Sequence, residues 1–120
     1  MTDALDGFES LFRGSARLGV LLGGLGLPWE KVTPFVEAFA PEMAAYQELS
    51  VDDRSTDLGL MTRGRGKDFT FRVARYMEAH GIDEPRLRRL LVSARYFEHR
   101  NLFFKVEVGP EGPAEFSWYF

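Results

Sequence analysis

The C-terminal stretch decides the fold of this chain, and it reads Leu102-Phe-Phe-Lys-Val-Glu-Val-Gly-Pro-Glu-Gly-Pro-Ala-Glu-Phe-Ser-Trp-Tyr-Phe120. Two runs rich in aromatic and β-branched residues flank a Gly/Pro loop over 109–113. Such runs favour strands, and neither a strand nor a helix can absorb the loop, so the chain must reverse there. The stretch therefore predicts a β-hairpin that the upstream elements have to cover.

Side chains alternate between the two faces of a strand, so the hairpin has two different faces. One face is apolar and carries Leu102, Phe104, Val106, Val108, Phe116, Trp118 and Phe120. The other, called the mixed face below, carries Phe103, Lys105, Glu107, Glu115, Ser117 and Tyr119. The apolar face is expected to pack against helices, whereas the mixed face suits solvent or a wet binding cavity. A function is therefore expected on the mixed face.

The composition describes one small domain over residues 1–120, since 120 residues with 45% hydrophobic content can build a single core. Cysteine is absent, which excludes disulfides and thiol chemistry. A net charge of −3 argues against nucleic-acid and membrane-surface binding. The N-terminal apolar run is broken by Arg13 and Arg17, which fits neither a signal peptide nor a membrane span. We expect a cytoplasmic protein.

A first helix is predicted from Thr2 or Asp3 to Val20, because apolar residues recur there at spacings of three and four. A second helix opens at Pro28, with Pro34 tolerated only in its first turn. Pro41 interrupts or ends this helix, and a last turn over 43–46 is the open alternative.

A second hairpin is predicted next, with strands over 46–53 and 57–63. On the return strand Leu58, Leu60 and Thr62 share the apolar face. Its mixed face carries Asp57, Gly59, Met61 and Arg63. The pattern repeats that of the C-terminal hairpin, with one dry side and one mixed side.

Two more helices precede the C-terminal hairpin. Asp68 is expected to cap the third, whose apolar stripe includes Phe71 and which stops at His80-Gly81. Asp83 or Glu84 starts the fourth, although 90–97 also alternates as a strand would. Its arginines, Arg86, Arg88, Arg89 and Arg95, are interpreted as a solvated face paired with glutamates.

The order of elements is helix, helix, strand, strand, twice over. We therefore predict an α+β fold of two ααββ repeats, over about residues 1–64 and 65–120. The hairpins are expected to join edge to edge in one four-stranded antiparallel sheet, with four helices packed on one face. This is the arrangement of a barrel that has its helices outside and a wet lumen within.

The chain resembles the amino-terminal part of the soluble aromatic prenyltransferases with the ααββ barrel, which transfer an isoprenoid from its diphosphate to an aromatic acceptor. Three segments carry the resemblance: Trp29-Glu-Lys-Val-Thr-Pro-Phe35, Asp53-Arg-Ser-Thr-Asp-Leu58 and the hairpin over 102–120. The resemblance spans this chain and about two of the family's repeats. It implies that the mixed face lines the lumen and binds an isoprenoid diphosphate or an aromatic molecule.

Prenyl transfer needs cations for the departing diphosphate and aromatic faces for the allylic cation. The candidate cations are Arg54, Arg63 and Lys105, and the candidate pocket residues are Phe103, Tyr119 and Met61. Family members that use magnesium have a carboxylate where this chain aligns Gly59, so no metal cofactor is expected and a role for Mg²⁺ is weakened. Lys105 is expected to replace cations that the family carries where this chain has Glu115 and Ser117.

Two hairpins cannot enclose a cavity alone, so catalysis by an isolated monomer is not expected. We expect a homo-oligomer that joins through strand edges, because aromatic edge strands leave unpaired backbone groups. The alternative function is a non-catalytic interaction or oligomerisation module that uses the exposed sheet face and edge.

Overall fold

A computed structural model describes residues 23–27, 29–51 and 57–120 of the chain, and its fold is α+β. Its helices and strands are α1 (Trp29–Ala45), β1 (Glu48–Val51), β2 (Leu58–Gly64), α2 (Lys67–Ala79), α3 (Glu84–Tyr96), β3 (Leu102–Gly109) and β4 (Gly112–Tyr119). Residues 23–25 are also helical. The predicted first helix and the turn over 52–56 lie outside the described residues, so the ααββ repeat stays a prediction.

The four strands form one antiparallel sheet in the order β1-β2-β3-β4. The two predicted hairpins therefore meet edge to edge, through the pairing of β2 with β3. Their register aligns Leu60 with Val106 and Val106 with Phe116. Because opposed residues in a ladder point to the same side, this register puts the apolar positions of both hairpins on one face.

The C-terminal hairpin turns more tightly than the sequence predicts. Gly109 pairs with Gly112, so Pro110 and Glu111 form the turn. Gly112 has φ 105°, which a residue with a side chain rarely adopts. A register shift between Glu107 and Val108 then brings the rest of β4 into step with β3.

The core lies between the apolar face of the sheet and the helices. Phe104 is fully buried at its centre, with its ring 6.0 Å from that of Phe35 and 5.6 Å from that of Phe39, both on α1. Tyr76 of α2 lies against the same ring, with centroids 5.8 Å apart. On α3, Leu90 is fully buried in the same cluster. The described helices thus pack on one face of the sheet, as predicted.

Helix α1 continues through both of its prolines to Ala45. Pro34 lies beyond the first turn, contrary to expectation, whereas the residues after Pro41 form the last turn that was the open alternative. The backbone instead kinks at Phe39, where φ is −130° and ψ is 17°. Arg72 of α2 stabilises the kinked segment from outside, because its Nη1 donates to the Ala38 carbonyl at 3.0 Å and its other nitrogen pairs with Glu42. Tertiary contacts here override a local helix breaker.

Helix α2 begins one residue before the predicted cap. Its N-cap is Gly66 with φ 93°, and Asp68 lies inside the first turn without capping it. Phe69 and Tyr76 are buried, whereas Phe71, predicted to be in the apolar stripe, is 53% exposed. The missing side chain of Gly64 leaves room for the ring of Phe69.

Residues 84–96 form helix α3, so the strand alternative for 90–97 is wrong. Asp83 caps the helix by accepting a hydrogen bond of 2.9 Å from the Arg86 N–H. Within the described residues, no helix is both long enough and apolar enough to cross a membrane.

Candidate functional site

The mixed face is built from alternate positions of β2, β3 and β4. The register aligns Met61 with Lys105, and Arg63 with Phe103, while Tyr119 is the partner of Phe103 on the other side. Five of the six residues predicted for the site therefore lie together on one face. The sixth, Arg54, is outside the described residues.

Three aromatic side chains, Tyr46, Phe103 and Tyr119, form a ring platform on this face. The rings of Phe103 and Tyr119 stack with centroids 4.7 Å apart and planes 4° from parallel. Tyr46 meets Phe103 edge-on at 5.8 Å. The Tyr119 hydroxyl also donates to the Met61 sulfur at 3.8 Å, so the sulfur lies beside the platform.

Tyr46 was missed as a site residue, although it lies two residues before Glu48 and thus continues the alternation of β1 backwards. Its hydroxyl donates to a Glu48 carboxylate oxygen at 2.9 Å. This hydrogen bond raises the pKa of Tyr46, because the neighbouring carboxylate favours the protonated phenol. The backbone carbonyl of Tyr46 accepts from the buried Thr62 hydroxyl at 2.9 Å, which ties the residue to the sheet.

Two cations share the mixed face with the ring platform: Arg63 pairs with Phe103, and Lys105 lies two residues further along β3. The guanidinium carbon of Arg63 lies 4.6 Å from the centre of the Tyr46 ring, a cation–π contact. Arg63 is exposed and makes no ion pair with a carboxylate of the described residues. Lys105 is half-buried, and its Nζ lies 3.3 Å from a Glu107 carboxylate oxygen. The two cations thus differ, since Lys105 has a carboxylate partner and Arg63 has none among the described residues.

Gly59 gives Lys105 its position. A Cβ at residue 59 would lie 2.8 Å from Lys105 Cε and 3.3 Å from Lys105 Nζ. The Ser50 hydroxyl and the end of the Lys105 side chain therefore fill the space where a side chain on residue 59 would project. A residue with a carboxylate at this position would displace the lysine.

The mixed face is open to solvent on its outer side. Tyr119 is 51% exposed, and Arg63, Glu115 and Ser117 are exposed as well. Glu107 and Glu115 are cross-strand partners, so the face is acidic near the β3–β4 turn, while at the ring platform the positive Arg63 and the negative Glu48 both contact Tyr46. A bound anion would therefore prefer the end that carries Arg63 and Lys105.

In the part of the chain that the structure describes, no three His, Cys, Asp or Glu side chains come close enough to hold a metal ion. Comparison with protein-family models, with curated proteins and with solved structures finds no match to this chain.

Proposed function

We propose that the mixed face binds an isoprenoid diphosphate, with the chain acting as part of a cytoplasmic protein similar to the aromatic prenyltransferases. One observation carries the proposal: the mixed face brings the rings of Tyr46, Phe103 and Tyr119 together with Arg63 in the same row of paired strand residues and Lys105 in the next row. A diphosphate needs the cations, and an allylic chain or an aromatic acceptor needs the flat rings. A face that only contacts solvent would need neither the cations nor the stacked rings.

The chemistry divides between the two kinds of group. Lys105 and Arg63 would stabilise negative charge on the departing diphosphate, while the stacked faces of Phe103 and Tyr119 would attract positive charge on the allylic carbon. Transfer to an acceptor also requires that water be excluded from this cation. Because the face is open, we propose binding by this chain and assign turnover only to a form in which further protein covers the face.

The residues at the position that the resemblance gives to magnesium do not fit the metal. Residue 59 is a glycine, and the Ser50 hydroxyl and the end of the Lys105 side chain occupy the space of its absent side chain. A cation there repels a metal ion and attracts an anion directly. We therefore propose that the diphosphate binds without Mg²⁺.

Isothermal titration calorimetry with dimethylallyl diphosphate, in buffer containing EDTA, tests the proposal. We expect binding that Lys105→Ala and Arg63→Ala each weaken about tenfold, the loss that follows from one charge-assisted hydrogen bond. Arg89→Ala is the matched control, because Arg89 is an exposed arginine on α3, on the opposite side of the sheet. Glu107→Gln is expected to strengthen binding, because it frees the lysine from its partner.

The proposal fails if no heat is detected at millimolar ligand, or if Arg89→Ala weakens binding as much as Lys105→Ala does. The affinity of the Arg54→Ala variant tests separately whether the third predicted cation contributes to binding. Equal affinity in that variant removes Arg54 from the site without affecting the roles of the other two cations.

A non-catalytic interaction module is the second candidate, and one observation favours it. Strand β4 is an edge of the sheet, and its exposed Tyr119 extends the mixed face to that edge. A second copy that paired along β4 would continue the sheet and bring two ring platforms together, giving a homo-oligomer. Light scattering of the ligand-free protein at micromolar concentration distinguishes this candidate, since a monomeric mass contradicts it.

A further inference from the structure

A groove between α2 and α3 lies on the helix side of the molecule, away from the mixed face. It has a volume of about 730 Å³. Its apolar lining includes Phe71 of α2 and Leu91 and Val92 of α3. Phe71 is 53% exposed and Val92 is 64% exposed, so this surface stays uncovered by the fold. Large apolar side chains gathered in an exposed groove are typical of a docking surface.

The groove has a basic rim. Lys67, Arg88 and Arg95 line it, and Glu98 is the carboxylate that lines it among the described residues. Arg88 pairs with Glu84 at 2.6 Å, but both side chains are largely exposed and the pair is readily exchanged. Arg95 has no ion pair within the described residues. Helix α3 carries four arginines and one glutamate, although the whole chain has a net charge of −3.

We propose that this groove docks an acidic amphipathic helix of a partner protein. Helix α3 lines the groove over residues 88–95, a length of about 12 Å that matches about two turns of a partner helix. Apolar anchors at positions i, i+3 or i+4 and i+7 would lie against Phe71, Leu91 and Val92. Carboxylates beside those anchors would pair with Lys67, Arg88 and Arg95, which supplies the charge complementarity.

Other occupants fit the groove less well. A second copy using the same face would oppose arginines with arginines, which costs free energy. Nucleic acid binds through phosphates, and the apolar centre of the groove would contact none of them. A bilayer presents a flat surface, whereas the exposed side chains of Phe71 and Leu91 line a concavity.

Fluorescence anisotropy of a labelled peptide tests the proposal with the full chain at 0.15 M salt. The probe is a capped peptide of about 14 residues, since shorter isolated helices are marginal in water, with leucines at i, i+3, i+7 and i+10 and glutamates elsewhere. We expect micromolar binding that Val92→Glu weakens by about tenfold or more and Arg95→Glu by several-fold. Arg89→Glu makes the same charge change on the same helix outside the groove and should change the affinity by less than about twofold.

The proposal is overturned if a peptide with the same composition and scrambled spacing binds equally well. It is also overturned if Arg89→Glu weakens binding as much as Arg95→Glu, or if an oligonucleotide or vesicles of anionic lipid bind more tightly than the peptide. Circular dichroism of each variant shows that it is folded, so a lost affinity reports on the groove. Val92 is largely exposed, and its replacement is therefore compatible with the fold.

Discussion

Phe103 and Phe104 are neighbours on β3, and they show how differently the two faces of the sheet work. Phe104 is completely buried and contacts rings from α1, α2 and β4. Phe103 remains half-buried and stacks on Tyr119 at the open surface. The same residue type therefore packs in the core on one face of the sheet and forms part of the ring platform on the other. What decides its role is the element that covers it, and here the described helices cover one face alone.

The largest expected difference between the two faces is in stability. Phe104→Ala removes a buried ring from the centre of the core and should lower the free energy of unfolding by about 3–5 kcal/mol. Phe103→Ala breaks one surface stack and should lower it by about 1 kcal/mol. Urea denaturation of both variants measures the two values. Similar losses in the two variants would mean that the mixed face is packed in solution and that it is no open binding surface.

The next largest effect is expected at the β4 edge of the sheet, where one arginine of α3 contacts the strand. Arg86 of α3 donates to the Phe116 carbonyl on β4 at 2.7 Å and lies 5.6 Å from the ring of Trp118. Arg86→Ala should lower the free energy of unfolding by about 1–2 kcal/mol, the cost of a lost charge-assisted hydrogen bond. It should also raise the mass found by light scattering, since a less protected edge pairs more readily.

Arg89→Ala serves as the control for this variant, with no expected change in stability or mass. If the Arg86→Ala protein has the same stability and the same mass as the unchanged protein, Arg86 neither stabilises the fold nor protects the β4 edge from pairing. A dimeric mass before any substitution would instead support the interaction module as the function.

The smallest expected effect concerns one hydroxyl in the core. The Tyr76 hydroxyl is buried and has no hydrogen-bond partner among the described residues, and burial raises its pKa from the ordinary value of 10.0. Tyr76→Phe removes an unsatisfied polar atom and should raise the free energy of unfolding by about 1 kcal/mol at neutral pH.

The pH dependence of this variant has a definite sign. Tyr76 stays protonated in the folded protein, whereas in the unfolded chain it ionises near its ordinary value of 10.0. Ionisation of Tyr76 therefore leaves the free energy of unfolding unchanged below that pH and lowers it as the pH rises above it, because only the unfolded chain gains the charge. Urea titrations at pH 7 and above 10 should show a smaller alkaline loss for Tyr76→Phe. If both proteins lose the same free energy of unfolding at alkaline pH, the loss comes from groups other than Tyr76.

The sheet could be predicted well from the sequence, because alternation with a period of two is short-range and unambiguous. It placed Leu60 and Phe104 on one face and Arg63 and Phe103 on the other, as the register confirms. The chain reversal near Gly112 was equally clear. These features depend on neighbouring residues alone.

What the sequence did not predict depends on contacts between distant residues. Phe71 is an exception, since its spacing of two from the buried Val73 already puts it on the opposite side of α2. Helix α1 passes Pro41 with the help of Arg72, which comes from another helix. Arg86 was expected in solvent, but it reaches a strand 30 residues away. Tyr46 joined the site for the same reason, through its contacts with Phe103 and Arg63.

An amide NMR titration with dimethylallyl diphosphate tests the central claim most directly, because it locates the ligand on one face or the other. We predict that the largest shifts occur at residues 61–63, 103–105 and 117–119, without added metal, and that Lys105→Ala reduces them. The helix groove at Lys67 and Arg95 should stay unchanged. Shifts confined to that groove, or no shifts at millimolar ligand, would contradict the proposal that the mixed face binds the diphosphate.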